Sequence, residues 1–126
     1  MNAITTDWIE KAEGDYELAE LALQSGKPRV YDGVCFHAQQ CAEKYLKAYL
    51  YEQSQSFPKT HKLEDLIDLC LLYDSSFELQ RGILVGLEPY SVEIRYPSLF
   101  AKARDAQLAF SDLNTFRAFI RSKLGI

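Results

Sequence analysis

The stretch of residues 30–53 constrains the fold most, because its apolar side chains repeat with the period of an α-helix. At about 100° per residue, they fill one continuous arc of the helix. The arc contains Val34, Cys35, Ala38, Cys41, Ala42, Tyr45, Leu46 and Tyr49. The opposite side carries His37, Gln40, Lys44, Lys47 and Tyr51. We therefore predict a long helix that buries one flank and offers a cationic, hydrogen-bonding row to an anion or to the acidic surface of a partner.

Caps and breaks along the chain predict four more helices. Asp7 can cap a first helix, which ends before Pro28. Thr60 can cap a short third helix, and the capping-box pattern from Ser75 to Glu78 opens a fourth. The five predicted helices cover residues 7–25, 30–53, 61–73, 75 to about 95, and 99–124. In the fourth helix, Pro89 interrupts an inward row of Leu79, Ile83, Leu87, Tyr90 and Ile94.

The composition favours an all-α fold. Apolar residues make up 48% of the 126 residues, and only four prolines and six glycines occur. A chain of this length fits one domain, here residues 1–126, with a core of its own. Five helices with short connections predict an antiparallel, up-and-down four-helix bundle with one additional short helix.

Charge and cysteine content exclude several classes of function. A net charge of −4 argues against binding to duplex DNA, although a local basic row could still contact RNA. No apolar run has the length of a membrane span and the N-terminus has no signal pattern, so we expect a cytoplasmic protein without membrane contact. The three cysteines lack the spacing of a zinc site. We therefore expect reduced, buried thiols, no metal and no cofactor.

Four segments together resemble the HEPN domain family, whose name refers to nucleotide-binding domains of higher eukaryotes and prokaryotes. The segments are Trp8, Ala12 and Asp15 in the first helix, the run from Phe36 to Ala48 in the second, Pro58-Lys59-Thr60-His61 followed by Leu63, and Arg95-Tyr96-Pro97. The resemblance covers nearly the whole chain in the family's order and spacing. It implies an antiparallel four-helix core with a short extra helix, and commonly a homodimer.

The resemblance also implies a class of partner. In prokaryotes, small HEPN proteins are often encoded beside a minimal nucleotidyltransferase, and some of these pairs behave as toxin and antitoxin. In such pairs the HEPN protein acts as a metal-independent ribonuclease. We therefore expect a protein that acts with a minimal nucleotidyltransferase and binds nucleotide or RNA.

One departure from the family pattern concerns catalysis. The nuclease branch carries an arginine followed after about four to six residues by a histidine. Here Arg95 has no histidine at that spacing, and no arginine precedes His37 or His61 at that distance. Ribonuclease activity thus loses its main support, and the catalytic residues stay unknown. The tyrosine that a partner nucleotidyltransferase can modify follows that histidine in the family, so we do not assign its role to Tyr96.

Seven residues are candidates for a ligand- or partner-binding surface: His37, Gln40, Lys44, Lys47, His61, Arg95 and Tyr96. His37 would bind a phosphate or a ribose hydroxyl. Lys44 would contact a phosphate or a partner, because it has no acidic residue four positions before it. His61 could reach the same cleft from the start of the third helix.

Each candidate also has a purely structural interpretation. The histidines could hydrogen-bond or pack at a helix end, and Lys47 could form an ordinary surface pair with Glu43. Arg95 could pair inside the protein with Asp15, a carboxylate at the edge of the apolar face of the first helix.

Two other functions remain open. The first is a ribonuclease toxin with a displaced active site, which would use His37 or His61 with Arg95. The second is a non-catalytic dimeric scaffold. Its contacts would use four large apolar side chains: Phe36, Leu50, Leu108 and Phe119.

Overall fold

The computed structural model describes residues 1–91 and 97–126. The five α-helices in these ranges are α1 (Ala3–Gln24), α2 (Tyr31–Glu52), α3 (Leu63–Cys70), α4 (Arg81–Leu87) and α5 (Ala103–Leu124). Short 3₁₀ segments occupy Pro28–Val30, Ser75–Gln80 and Glu88–Ser91. No strand occurs in the described ranges, so the predicted all-α class is confirmed.

The long helices run up and down around α2. The start of α1 meets the end of α2, where the backbone N–H of Asn2 donates to Glu52 at 3.0 Å, so these two helices are antiparallel. The start of α5 meets the start of α2, where the N–H of Ala101 donates to Asp32 at 2.6 Å. Helices α2 and α5 therefore run in the same direction, as expected for the second and fourth helices of an up-and-down bundle.

The segment around α4 is the third helix of the bundle, and α3 is the short extra helix. Phe77, just before α4, packs against Tyr49 near the end of α2 with ring centres 4.7 Å apart. A hydrogen bond from Tyr90, just after α4, reaches Cys35 near the start of α2. The α4 segment thus runs antiparallel to α2, and the predicted four-helix arrangement with one short additional helix is confirmed.

Helix α1 begins earlier than the sequence predicted. It starts at Ala3 rather than near Asp7, and Asn2 caps it by accepting a hydrogen bond from the N–H of Ile4 at 2.8 Å. Asparagine is among the strongest N-cap residues. The extra turn also places Thr5 in the interior, where it is fully buried.

The predicted inward row of the fourth helix is wrong at its start. Leu79 is 81% exposed, whereas Phe77, Leu84 and Leu87 are buried. Residues 75–80 form a 3₁₀ helix, whose three residues per turn rotate the buried face relative to an α-helix. The predicted interruption at Pro89 is confirmed, because α4 ends at Leu87. Ile94 lies outside the described residues.

Helix α2 is covered by neighbours on almost every side. The predicted core arc is confirmed, since all eight of its residues are buried. Within 41–50, only Lys44 is not buried. A single neighbouring helix could not cover α2 so completely. Helices α1 and α5 cover most of it, and α3 and α4 cover part of the rest. Polar side chains on the far flank of α2 are therefore partly interior.

Candidate functional site

Asp15 joins α1 to the polar row of α2. One oxygen of its carboxylate accepts from Nδ1 of His37 at 2.7 Å, and the other accepts from the ammonium group of Lys44. His37 and Lys44 lie about two helical turns apart on one face of α2, so a single carboxylate from α1 can reach both. Asp15 is only 6% exposed, while the side chains of His37 and Lys44 keep 28% and 25% of their surface.

The surroundings of Asp15 favour its charged form. Burial works to raise the pKa of its carboxyl group, but the hydrogen bonds from His37 and Lys44 outweigh this effect, and the pKa lies below its ordinary value. Asp15 is therefore ionised at neutral pH and balances the charge of Lys44. An anionic ligand at this position would have to compete with a carboxylate that is already bound.

Glu43 forms a second cluster of the same chemical kind on another side of α2. Its carboxylate lies 3.0 Å from Nζ of Lys47 and 3.2 Å from Nδ1 of His61. The Lys47 ammonium also lies 5.6 Å from the centre of the Trp8 ring, within reach of a cation–π attraction. The predicted i,i+4 pair of Lys47 with Glu43 forms, but both residues are buried, so its interpretation as a solvated surface pair is wrong. The side chain of His61, in contrast, is 75% exposed.

Two adjacent glutamines support the second cluster. Gln39 is fully buried, and its amide donates to the carbonyl oxygen of His61 at 3.1 Å. The amide of Gln40 in turn donates to the side-chain oxygen of Gln39 at 2.7 Å. Gln39 was not among the predicted site residues, although it lies one turn before Glu43 and shares its face. The pair fixes the chain immediately before α3.

The structure divides the predicted site into two parts. His37 and Lys44 meet at one carboxylate, Lys47 and His61 meet at another, and Gln40 reaches the second cluster through its neighbour. Arg95 and Tyr96 lie outside the described residues, and so does the proposed pairing of Arg95 with Asp15. Both partners of Asp15 that the structure does describe come from α2.

Sequence reasoning missed a third polar network, which joins α1, α2 and α5. Arg117 forms a two-pronged ion pair with Glu13, and the Tyr45 hydroxyl donates to the same carboxylate. Arg121 donates to the Tyr45 hydroxyl at 3.0 Å. The hydrogen bond from Arg117 leads the effects that lower the pKa of Glu13, while burial raises the pKa of Tyr45. The only sequence signal was a pair of arginines four residues apart on α5, one turn of a helix.

The thiols do not form a reactive site. Cys35, Cys41 and Cys70 are free and buried, and burial raises the pKa of all three, to about 12 for Cys35 and Cys70. Such thiols are poor nucleophiles at neutral pH. Within residues 1–91 and 97–126, no three histidine, cysteine or acidic side chains group closely enough to hold a metal ion. The helices of the same ranges include none long and apolar enough to cross a bilayer.

Comparison with known structures agrees with the architecture. TT1696 from Thermus thermophilus superposes with a TM-score of 0.78 at 25% identity, over 94% of this chain and 97% of the other. ST0689, an archaeal HEPN homologue, superposes with a TM-score of 0.73 at 24% identity, over 94% and 96% of the two chains. A comparison with curated proteins gives no match.

The sequence profile of the HEPN domain matches residues 5–123. This range includes α1 from its first turn, both carboxylate clusters and nearly all of α5. The match extends over far more than half of the chain and agrees with the bundle seen in the structure. The chain therefore belongs to the HEPN domain family.

Proposed function

We propose that this chain is a binding protein of the HEPN family that acts with a minimal nucleotidyltransferase and binds nucleotide. The observation that carries the proposal is the state of its two histidines. Each has its Nδ1 bound to a carboxylate, and among the described residues no arginine forms a hydrogen bond or ion pair with either ring. Because the nuclease branch depends on an arginine–histidine pair, the absence of such a pair among the described residues favours binding over cleavage.

Coexpression tests the partner. The tagged chain is coexpressed with the minimal nucleotidyltransferase whose gene lies nearest to its own, and the complex is isolated at 0.15 M salt. We expect a stable complex of fixed stoichiometry. Recovery of the tagged chain alone, with both proteins soluble, would contradict the partnership.

Calorimetry tests nucleotide binding separately. Purified protein is titrated with ATP, GTP and AMP, and we expect heat of binding with at least one of them. The absence of heat with all three would remove the nucleotide from the proposal without affecting the partner.

We place this protein in a reducing compartment such as the cytoplasm, which its three buried free thiols support.

We also propose a homodimer, with a smaller set of contacts than the sequence suggested. Leu50 is fully buried inside one chain, so it cannot contact a second. Phe119 packs against Phe77 with ring centres 5.1 Å apart, whereas Leu108 is 58% exposed. Light scattering on wild type and Leu108→Lys tests this proposal. A wild type that stays monomeric at 100 µM, roughly the concentration where weak dimers form, would contradict it.

The second candidate function is a metal-independent ribonuclease, and one observation favours it. A carboxylate on Nδ1 of a histidine orients the ring and leaves Nε2 as a general base, and Asp15 stands in this relation to His37. The test is expression of the chain without its neighbours, with growth and RNA integrity as readouts. Growth arrest with RNA cleavage that His37→Ala abolishes would establish this function in place of the first. Normal growth and intact RNA would exclude it.

A further inference from the structure

We infer that a groove beside α3 receives the phosphate groups of a small nucleotide, which extends the nucleotide binding proposed above. The groove lies between the segment before α3 and the segment after α4, and it has a volume of about 670 Å³. Small-molecule sites typically span about 300–1,000 Å³. Its walls are Lys59, Thr60, His61, Lys62, Glu88, Pro89 and Ser91. We call it the Lys59–Lys62 groove.

This groove contains two lysines that form no ion pair with any described carboxylate. The side chains of Lys59 and Lys62 are exposed and form no ion pair or hydrogen bond with any residue that the structure describes. Lys44 and Lys47 of the α2 row are each bound to a carboxylate. A phosphate gains most from ammonium groups that are not yet neutralised. The anion is therefore expected in the Lys59–Lys62 groove rather than along α2.

The segment that carries these lysines is fixed by buried groups. Gln39 binds the carbonyl oxygen of His61 at 3.1 Å, and Glu43 holds the ring of the same residue through Nδ1. The Thr60 hydroxyl lies 3.1 Å from both the N–H of Lys62 and the carboxylate of Asp65. A binding segment whose backbone and ring are already oriented loses less entropy when a ligand arrives.

His61 gives the groove a third polar group. Because Glu43 occupies Nδ1, the nitrogen that remains for a ligand is Nε2, on a side chain that is 75% exposed. This atom can accept a hydrogen bond from a ribose hydroxyl. Once the ring is protonated, it can instead donate to a phosphate oxygen.

Neighbouring acids limit the length of the anion. Glu88 lines the groove, and Asp65 lies in the first turn of α3, whereas Glu64 and Asp68 of the same helix are already paired with Arg81. A long RNA strand would have to pass the carboxylates of Glu88 and Asp65, whereas one to three phosphates need only the two lysines and the imidazole. The positive region is thus short, which favours a nucleotide over RNA.

The experiment is calorimetric titration of the full chain at low salt with ATP, inorganic triphosphate, AMP and a ten-residue RNA. The test variant is Lys59→Ala/Lys62→Ala. The matched control is Lys11→Ala/Lys27→Ala, which removes the same charge from two exposed lysines outside the groove. We expect ATP and triphosphate to bind and AMP to bind more weakly. The test variant should lose roughly tenfold or more in affinity, while the control stays within about twofold of wild type.

Each remaining outcome would overturn the inference. Equal losses in both double variants would mean that only overall charge matters. Unchanged binding by the test variant, with loss in Lys44→Ala, would move the site to the α2 row and leave nucleotide binding intact. RNA binding more tightly than ATP would replace the proposed ligand class. A wild type that binds none of the anions would remove nucleotide binding altogether, and the coexpression test would then decide the partner on its own.

A folding control separates binding from stability. The side chains of Lys59 and Lys62 have no polar partner among the described residues, so the thermal unfolding midpoint of the test variant should match that of wild type.

Discussion

The two clusters on α2 contain the same three groups, a carboxylate, an imidazole and an ammonium, in opposite arrangements. At Asp15, the carboxylate is buried and its two partners each keep about a quarter of their surface. At Glu43, the ammonium of Lys47 is buried with the carboxylate, and the imidazole of His61 lies mostly in solvent. Identical chemistry therefore gives a connection between two helices in one place and an anchored surface segment in the other.

The two clusters therefore differ in how much stability their loss would cost and in how easily a ligand can reach them. Burial makes the Glu43–Lys47 pair hard to break, because neither charge can return to water without its partner. The same burial keeps Lys47 away from any ligand. His37 and Lys44 can exchange their carboxylate for water, but they lie on the surface only in part. The Glu43 cluster is thus the more important one for folding, and it also has the more accessible imidazole, that of His61.

Glu43→Gln should be the most destabilising of the changes that test this comparison. It leaves the Lys47 ammonium buried without a counter-charge, which costs about 3–5 kcal/mol. The free energy of unfolding, measured by urea denaturation at pH 7, should fall by this amount.

The matched control removes both charges at once. Glu43→Gln/Lys47→Met leaves no uncompensated ion and should recover a large part of the lost stability. If the double variant is as unstable as Glu43→Gln alone, the stranded ammonium is not the cause.

The core of α2 could be predicted from sequence, but the burial of its polar residues could not. The helical period places Ala38, Tyr45 and Tyr49 on one arc whatever surrounds the helix. Whether Lys44 or Lys47 meets solvent depends on the neighbouring helices, and a single helix contains no information about them. Both lysines were therefore predicted to line one accessible surface, whereas the bundle buries only Lys47.

The Lys59–Lys62 groove was beyond sequence reasoning for another reason. Its residues come from the irregular segment before α3 and from the short 3₁₀ segment Glu88–Ser91, and neither is long enough to show a periodicity from which the direction of a side chain follows. His61 was predicted as a site residue, yet its carboxylate partner lies 18 residues earlier in the chain. Only the fold brings them together.

Asp15→Asn should cost less than Glu43→Gln. The amide keeps the size of the carboxylate, and His37 and Lys44 can both recover hydrogen bonds from water. We expect a loss of about 1–3 kcal/mol in the free energy of unfolding. If Asp15→Asn loses as much stability as Glu43→Gln, the partial exposure of His37 and Lys44 does not reduce the loss. The two clusters would then not differ as proposed.

Lowering the pH should reduce the stability that Asp15→Asn loses relative to wild type. The folded-state pKa of Asp15 lies below its ordinary value, so its stabilising effect is present above the unfolded pKa of about 3.9 and disappears as the pH falls through the folded value. The stability difference between wild type and Asp15→Asn should therefore shrink as the pH falls below about 4. Glu13 also has a lowered pKa but titrates in both proteins, so it cancels from the difference. A difference that does not change with pH would place the effect in packing rather than in charge.

The smallest effect is expected for His61→Ala, and its comparison with His37→Ala tests the arrangement of both clusters directly. Removal of the His61 ring takes away a side chain that is mostly in solvent, and Glu43 keeps Lys47, so stability should change by less than about 0.5 kcal/mol. Removal of the His37 ring opens a half-buried position and leaves one oxygen of Asp15 without its partner, so we expect a loss of about 1 kcal/mol. Nucleotide binding should respond in the reverse order, weaker in His61→Ala and unchanged in His37→Ala. Equal losses of stability in the two variants would contradict the proposed difference between the clusters. Binding that depends on His37 alone would place the ligand at the Asp15 cluster.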